Sequence, residues 1–410
     1  MKILVTGANG LLGSAVTEEV LRRGHTCIAT GRAPQPRCAD ATVYAQADLC
    51  DPQAVQALIT DTQPDAVIHC AAWTDVDGAE LPENREQVFA INAGGTKNVA
   101  EACRGTDCKM IYITTDYVFD GTDTAPYPAD CTHFAPLNVY GQSKLAGERA
   151  VLETLERYFI VRTSWVYGTG GKNFVRTMLQ LSRTHDTLRV VCDQVGTPTY
   201  VPDLARLLAD MVGTDRYGRY NAVNSGGYLS WYDFARAIFR AAGIPMTVLP
   251  VTSEEYGQSR AVRPRNSRLD TAKLAAAGFR PLPDWQDALA RYLAVRRPIS
   301  GKDKNALFLS GQNKRISRSM VHALVKKHLS AAGLDSDKYS SHKLRHTAAT
   351  LMLQNGVDVK AVQEVLGHEH LNTTEIYTHI DNEALRVAAK ANPLSHVKMK
   401  GKIEDKTPEE

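Results

Sequence analysis

"KILVTGANGLLGSAV", Lys2–Val16, is the stretch on which the fold turns. Lys2–Thr6 is a short apolar strand, and an amphipathic helix runs on from the glycines to Arg23. Between them Gly7, Gly10 and Gly13 make a G-x-x-G-x-x-G turn, with Asn9, Leu11 and Leu12 in its intervening positions. Such a turn brings backbone against a pyrophosphate, which a Cβ would obstruct. The helix behind it offers amide donors and a partial positive charge. Glycines spaced this way mean little alone; strand before and helix after give them force. The stretch predicts an α/β fold: a Rossmann-type doubly wound parallel sheet with a smaller α/β substrate lobe.

The next elements carry the same theme. A second strand, "TCIAT", ends in "GRAP". An acidic residue there would hold ribose hydroxyls, whereas Arg32 suits a 2′-phosphate, so NADPH is favoured, with NADH possible. "ADL" closes the third strand with Asp48 and Leu49, where an adenine contact is usual. "AVIHCAAWTDVDGAE" runs a fourth strand into Ala71, Ala72 and Thr74, whose small side chains permit close approach of a cofactor.

"VYGQSKLAGE" sets Tyr140 and Lys144 four residues apart, on one face of a helix. A phenol of pKa ~10 exchanges protons poorly at neutral pH. A neighbouring ammonium is expected to lower that value. Tyr140 then donates a proton to a carbonyl oxygen as hydride arrives, and Lys144 also holds the nicotinamide ribose. Upstream, "MIYITTDYVFDG" is a strand ending at Thr115, whose hydroxyl would orient the same carbonyl.

With these pieces in order, residues 1 to about 295 resemble the extended short-chain dehydrogenase/reductases, and more narrowly the dTDP-4-dehydrorhamnose reductases. "TGANGLLG", "AAWTDVDGAE", "INAGGTKNVA", "TTDYVFDG", "YGQSKLAGE", "VRTSWVYG", "DQVGTPTY" and "RPRNSRLD" carry the resemblance. It implies Thr115, Tyr140 and Lys144 as the catalytic set, and Asp116, Tyr117 and Trp165 lining the sugar site. Asn92 stands where the family has a structural asparagine beside the cofactor site. The implied reaction is hydride transfer from NADPH to carbon-4 of dTDP-4-dehydro-β-L-rhamnose. Another nucleotide-sugar reductase or epimerase is the alternative within the superfamily. Where the family has Ser-Thr before "DYVF", this chain has Thr114 and Thr115, which keeps both hydroxyls. Some relatives dimerise through Mg²⁺ bound by glutamates; that cluster is not traceable here, though a homodimer is an expected state.

Composition divides the chain near residue 296. Residues 1–296 hold 24 Arg and 6 Lys against 32 acidic residues, a balance of −2; residues 297–410 hold 5 Arg and 13 Lys against 13, a balance of +5. All eight cysteines lie before the divide, without a C-x-x-C pair, as expected of reduced thiols in a cytoplasmic enzyme. No apolar run approaches the roughly 20 residues of a membrane span, and the N-terminal apolar stretch is too short for a signal peptide. After the divide, "NALFLS" reads as a strand, and "SRSMVHALVKKHLSAAGL" and "SHKLRHTAATLMLQNG" as helices. "LGH" followed by Tyr377 and the preceding His-x-x-Arg resemble the later part of a Xer-type tyrosine recombinase catalytic domain. His342, Arg345, His368 and Tyr377 match its motif. There the tyrosine attacks a DNA phosphate and the arginine neutralises its oxygens. The family's first arginine and hairpin lysine belong upstream, where this chain carries the reductase-like segment instead. The fragment is therefore expected to be catalytically inactive, with at most weak, salt-sensitive DNA binding. Expected divisions are a cofactor-binding domain at 1–165 with later segments returning to it, a substrate lobe at 166–295, an all-helical recombinase-like fragment at 296–396 and a charged tail at 397–410.

Overall fold

The computed structural model describes residues 1–36, 43–295, 317–331, 347–348 and 350–351. The chain forms two compact units, Met1–Arg296 and Arg297–Glu410.

The first unit opens with β1 (Lys2–Thr6), α1 (Leu11–Arg22), β2 (Thr26–Gly31), β3 (Val43–Gln46), α2 (Pro52–Thr62) and β4 (Ala66–His69). Then come α3 (Val76–Ala79), α4 (Pro82–Phe89), a π-helical turn at Ala90–Gly94, α5 (Gly95–Cys103) and β5 (Lys109–Thr115). A 3₁₀ turn at Asp116–Val118 leads towards α6 (Val139–Thr154) and β6 (Tyr158–Thr163). The rest alternates short strands with helices: β7 (Val166–Tyr167), α7 (Phe174–Leu181), β8 (Thr187–Val191), β9 (Val195–Gly196), β10 (Thr199–Tyr200) and α8 (Val201–Val212). β11 (Gly218–Asn221), β12 (Leu229–Ser230), α9 (Trp231–Ala242), β13 (Thr247–Val251) and α10 (Ser253–Tyr256) follow. β14 (Asn266–Ser267), α11 (Ala272–Ala276) and α12 (Trp285–Val295) complete the unit.

Seven strands form one parallel sheet in the order β11-β6-β5-β4-β1-β2-β3. The order reverses between β1 and β4, and at such a switch point the strand ends part to leave a crevice. Both faces are covered, which is why β1 and β4 read as unbroken apolar runs rather than alternating ones. Val16 and Val20 of α1 and Leu204, Leu207 and Leu208 of α8 cover one face. Val55 and Leu58 of α2, Val99 of α5 and Val151 of α6 cover the other. The expected doubly wound sheet is present, and β11 joins it from far along the chain.

Local chemistry sets the helix starts. Asp51 accepts from the Gln53 and Ala54 amides with Pro52 at the first helical position. Asn138 accepts from the Gly141 amide at 2.8 Å and donates to the Val262 carbonyl at 2.8 Å, fixing where α6 begins. Ser230 and Asp233 form a capping box at α9. A second core gathers the aromatics Tyr167, Tyr200, Phe234, Trp285 and Tyr292, and it packs α9 and α12 together. Arg291 of α12 also clasps Asp203 of α8 through two hydrogen bonds of 2.9 and 2.8 Å.

In the second unit the described helix is α13 (Arg318–Ala331), within the stretch expected to be helical. Thr347, Ala348, Thr350 and Leu351 are helical as well. The expected strand "NALFLS" lies outside the described residues. No helix among the described residues is long and apolar enough to cross a membrane.

Gly13 tests the first turn. A Cβ there would stand 2.1 Å from the Gly7 carbonyl oxygen, a backbone atom that cannot swing aside. Gly13→Ala is expected to cost about 1–3 kcal/mol, seen as a lower urea midpoint.

Candidate active site

The crevice at the switch point is one groove with two hollows, of about 610 and 340 Å³. They share Gly10, Cys70 and Ala72. Gly7 has a φ of +63°, and a Cβ on it would meet the Ala71 backbone at 2.7 Å. The first glycine and the small residues after β4 are thus two sides of one backbone contact. α1 begins at Gly10 with no side-chain cap, so its first-turn amides face the groove uncapped.

The smaller hollow is lined by Gly7, Asn9, Arg32, Asp48, Leu49 and Ala71, among others. Arg32 is exposed, and its carbonyl accepts from Gln46. Asp48 accepts from the Cys50 amide at 3.0 Å. The larger hollow takes Leu11, Leu12, Gly13, Thr74, Thr115, Asp116, Tyr117, Tyr140, Lys144 and Trp165. The structure therefore gathers around one groove the reductase-site residues expected between Gly7 and Trp165, Asn92 excepted. Asn92 lies in the π-helical turn and is buried, with both ends of its side-chain amide hydrogen-bonded. It accepts from the Trp73 amide at 2.8 Å and donates to the Trp73 carbonyl at 3.2 Å and the Ser143 hydroxyl at 2.9 Å. It lines neither hollow; its amide braces the loop after β4 against α6.

A dinucleotide fits this groove on its own chemistry. Uncapped amides stand at the centre, and each hollow holds a buried hydroxyl without a partner, Thr30 in one and Thr114 in the other. Such orphan groups are rare unless something else satisfies them. Among the described residues, no three His, Cys, Asp or Glu side chains gather as a metal site.

The electrostatics depart from expectation at Tyr140. Burial pushes its phenol well above the ordinary value and the nearby Asp116 carboxylate adds to the rise, while a hydrogen bond with Thr115 works the other way. Lys144 does not reverse this. Its ammonium donates to the Ile113 carbonyl at 2.7 Å and lies 4.2 Å from the centre of the Tyr112 ring. Burial brings Lys144 itself down to about 7, against the pull of Glu148. Desolvation thus outweighs the lysine's field, and Tyr140 is held as a protonated donor. Asp116, only 2% exposed, is lifted by burial to about 6 despite hydrogen bonds with Ser267 and Thr115.

Trp165 forms one wall. Its φ of +49° is rare for a bulky residue and marks backbone strain held by its surroundings. Its ring stacks on Trp231 with centroids 3.6 Å apart, and a Cβ at Gly196 would meet the ring at 2.9 Å. Trp231, Thr163, Ser164 and Lys172 also line the larger hollow and were not anticipated. Trp231 carried no signal beyond being a tryptophan; Ser164 sat unread inside the quoted "VRTSWVYG". Behind the groove, His69 hydrogen-bonds Thr6 at 2.8 Å and Thr96 at 3.1 Å. His342, Arg345, His368 and Tyr377 lie outside the described residues.

The RmlD substrate binding domain model matches residues 1–297. The chain belongs to the RmlD substrate-binding family. Within this family it is 42% identical over 310 residues to a dTDP-4-dehydrorhamnose reductase of Streptomyces griseus, which spans 73% of this chain and 96% of that protein. It is 36% identical to a dTDP-4-keto-6-deoxy-D-glucose reductase of Streptomyces niveus, over 70% of this chain and 95% of the relative. A crystal structure of dTDP-4-dehydrorhamnose reductase from Bacillus anthracis in complex with NADP superposes with a TM-score of 0.65 at 38% identity, covering 72% of this chain and 99% of that one. The phage integrase family model matches residues 284–384 and so overlaps the RmlD match across α12.

The buried network yields a test. Burial, with Lys144 adding to it, holds His69 down to about 3, whereas an unfolded histidine takes up a proton near 6.5. Between those values the unfolded chain binds the extra proton, so the contribution of neutral His69 is full above about pH 6.5 and is lost as pH falls towards 3. The urea midpoint is expected to drop more steeply between pH 6 and 4 in the wild type than in His69→Gln.

Proposed function

We propose that the first unit is an NADPH-dependent reductase of the carbon-4 ketone of dTDP-4-dehydro-β-L-rhamnose, forming dTDP-L-rhamnose. The observation that carries this reading is the meeting of Thr115, Tyr140 and Lys144 beside the glycine turn, in one groove. Its support from relatives is the name shared by the Streptomyces griseus enzyme and the NADP-bound Bacillus anthracis structure.

Bound NADPH would supply the hydride, held by the α1 amides at its pyrophosphate and by Arg32 at its 2′-phosphate. The chain's own residues then do the following. Thr115 donates a hydrogen bond to the ketone oxygen and fixes its position. Tyr140, protonated because it is buried, gives its proton to that oxygen as carbon-4 becomes tetrahedral. The phenolate left behind is stabilised by the Lys144 ammonium, which also donates to the nicotinamide ribose. Trp165 and Tyr117 exclude water from one side of the sugar. The 36% relative from Streptomyces niveus supports a second reading, in which the substrate is a different 4-keto-6-deoxy sugar nucleotide. Product analysis separates the two. For the C-terminal unit we propose an inactive remnant of a DNA strand-exchange domain. Its family match begins at residue 284 and takes in the whole of α12, whose buried face serves the reductase core. We place the enzyme in the cytoplasm, in keeping with its thiol-rich first unit.

With dTDP-4-dehydrorhamnose generated by the preceding enzymes, the full chain should oxidise NADPH and yield dTDP-rhamnose; absence of turnover would sink this reading. Tyr140→Phe is expected to lower kcat by about 10²–10⁴-fold while NADPH binding, followed by its fluorescence, persists. Arg32→Ala should raise the KM for NADPH about tenfold or more and leave that for NADH little changed. Incubation with DNA should give no covalent adduct at Tyr377.

A further inference from the structure

The sequence "YGQSKLAGE" closes on Glu148, which the reaction above does not use. Glu148 lies one helical turn beyond Lys144 and two beyond Tyr140, so the three share a face of α6. Its carboxylate takes two hydrogen bonds from Arg162 of β6, from Nε at 3.1 Å and Nη2 at 2.7 Å. Both side chains are fully buried. Arg162 is itself fixed: Nη1 donates to the Ala129 carbonyl at 3.0 Å, and its guanidinium lies 5.2 Å from the Phe119 ring centre and 5.1 Å from that of Phe134. A fork-to-fork pair held in this way leaves the carboxylate a single orientation.

We propose that Glu148, clamped by Arg162 one helical turn beyond Lys144, is the positioning residue whose carboxylate keeps Lys144 an ammonium beside Tyr140. The proposal deepens the reductase reading and rests on it. Lys144 is gripped at its head by the Ile113 carbonyl and the Tyr112 ring, and its own carbonyl accepts from the Tyr112 hydroxyl at 3.2 Å. Gly147 allows this face to press so close: a Cβ there would stand 2.3 Å from the Tyr112 oxygen and 2.6 Å from the Asn92 carbonyl.

The groups facing Lys144 are few. From its own helix come Glu148 and, one turn before Lys144, Tyr140; from β4 comes His69, with Cys70 just after it; from β5 comes Tyr112, with Asp116 just beyond that strand and acting on Tyr140. Arg162 of β6 reaches this group only through Glu148. His69 is neutral, the Cys70 thiol is pushed by burial to about 12, and Tyr112 is raised well above its ordinary value by the same cause. At neutral pH this leaves Glu148 as the negative charge among the described residues that favours the ammonium against the cost of its burial. Replacing the carboxylate by an amide removes that charge while keeping the shape. Lys144 then gives up its proton at lower pH, and a neutral amine neither steadies the Tyr140 phenolate nor holds the ribose as well.

The test uses the full chain labelled with ε-¹³C lysine, alongside the pH profile of kcat. Glu148→Gln leaves Arg162 buried without its partner and can fail to fold for that reason alone. The doubly neutral Glu148→Gln/Arg162→Met chain removes both charges and meets that difficulty. In either variant the Lys144 resonance is expected to titrate at lower pH than in the wild type. The alkaline limb of kcat should move down by about half a pH unit or more, and Glu148→Asp should restore part of the shift. A doubly neutral chain with the wild-type Lys144 titration and pH profile would overturn the proposal and leave the pair a strut between helix and sheet. If the wild type does not turn over at all, the reductase reading fails, and the NMR titration still decides whether Glu148 acts on Lys144.

Discussion

Everything in the first unit leans on the place where Gly7 meets the backbone of Ala71. Two neighbouring parallel strands end there, and the chain leaving each must turn away without a side chain between them. The contact admits no Cβ at Gly7, and Gly13 repeats the demand one helical turn on, against the Gly7 carbonyl. Because these atoms are main chain, the crowding cannot relax by a rotamer change. The result is a rigid floor with amide donors exposed along it. The larger hollow, the smaller hollow and the uncapped end of α1 are consequences of that floor.

A second constraint fixes the chemistry to the floor. α6 carries Tyr140, Lys144 and Glu148 on one face, and buried polar contacts hold that face to β5 and β6. Burying a charged pair gains little in net stability, but stranding one member costs about 3–5 kcal/mol. Such a pair therefore acts as a register pin more than as glue. Around it the polar groups are nearly all satisfied, as a buried network must be if it is to hold a single arrangement. His69 between two threonines and Asn92 between Trp73 and Ser143 belong to the same layer.

The parts of this site that could be read from sequence were those whose chemistry is local. Gly7, Gly10 and Gly13 sit within seven residues, and Tyr140 and Lys144 within one turn of helix, so spacing alone carries their geometry. Trp231 meets Trp165 across 66 positions, and Arg162 meets Glu148 from a different element; no periodicity announces either pair. Asn92 shows the limit in another way. Its place near the groove was legible, but only the structure shows both its amide hydrogens spent on Trp73 and Ser143. At Tyr140 the sequence displays the nearby ammonium but not the desolvation that keeps the phenol protonated. The seven-stranded sheet was foreseen in kind, yet β11 reaches it from residue 218, after the chain has already built part of the other lobe. Past residue 296 the sequence motif and the charge balance remain the guide to what the chain resembles.

The α12 helix has a consequence for where the reading frame of such a chain tolerates a break. Its last fully buried side chain, Tyr292, comes just three residues before the helix ends at Val295. A crossover, frameshift or premature stop falling a few codons later leaves the aromatic plug of the lobe whole. One falling before Trp285 removes that plug together with the Arg291 clasp on Asp203. The tolerance of the reading frame thus changes abruptly across about a dozen codons. That boundary is drawn by packing, and natural selection has only to respect it.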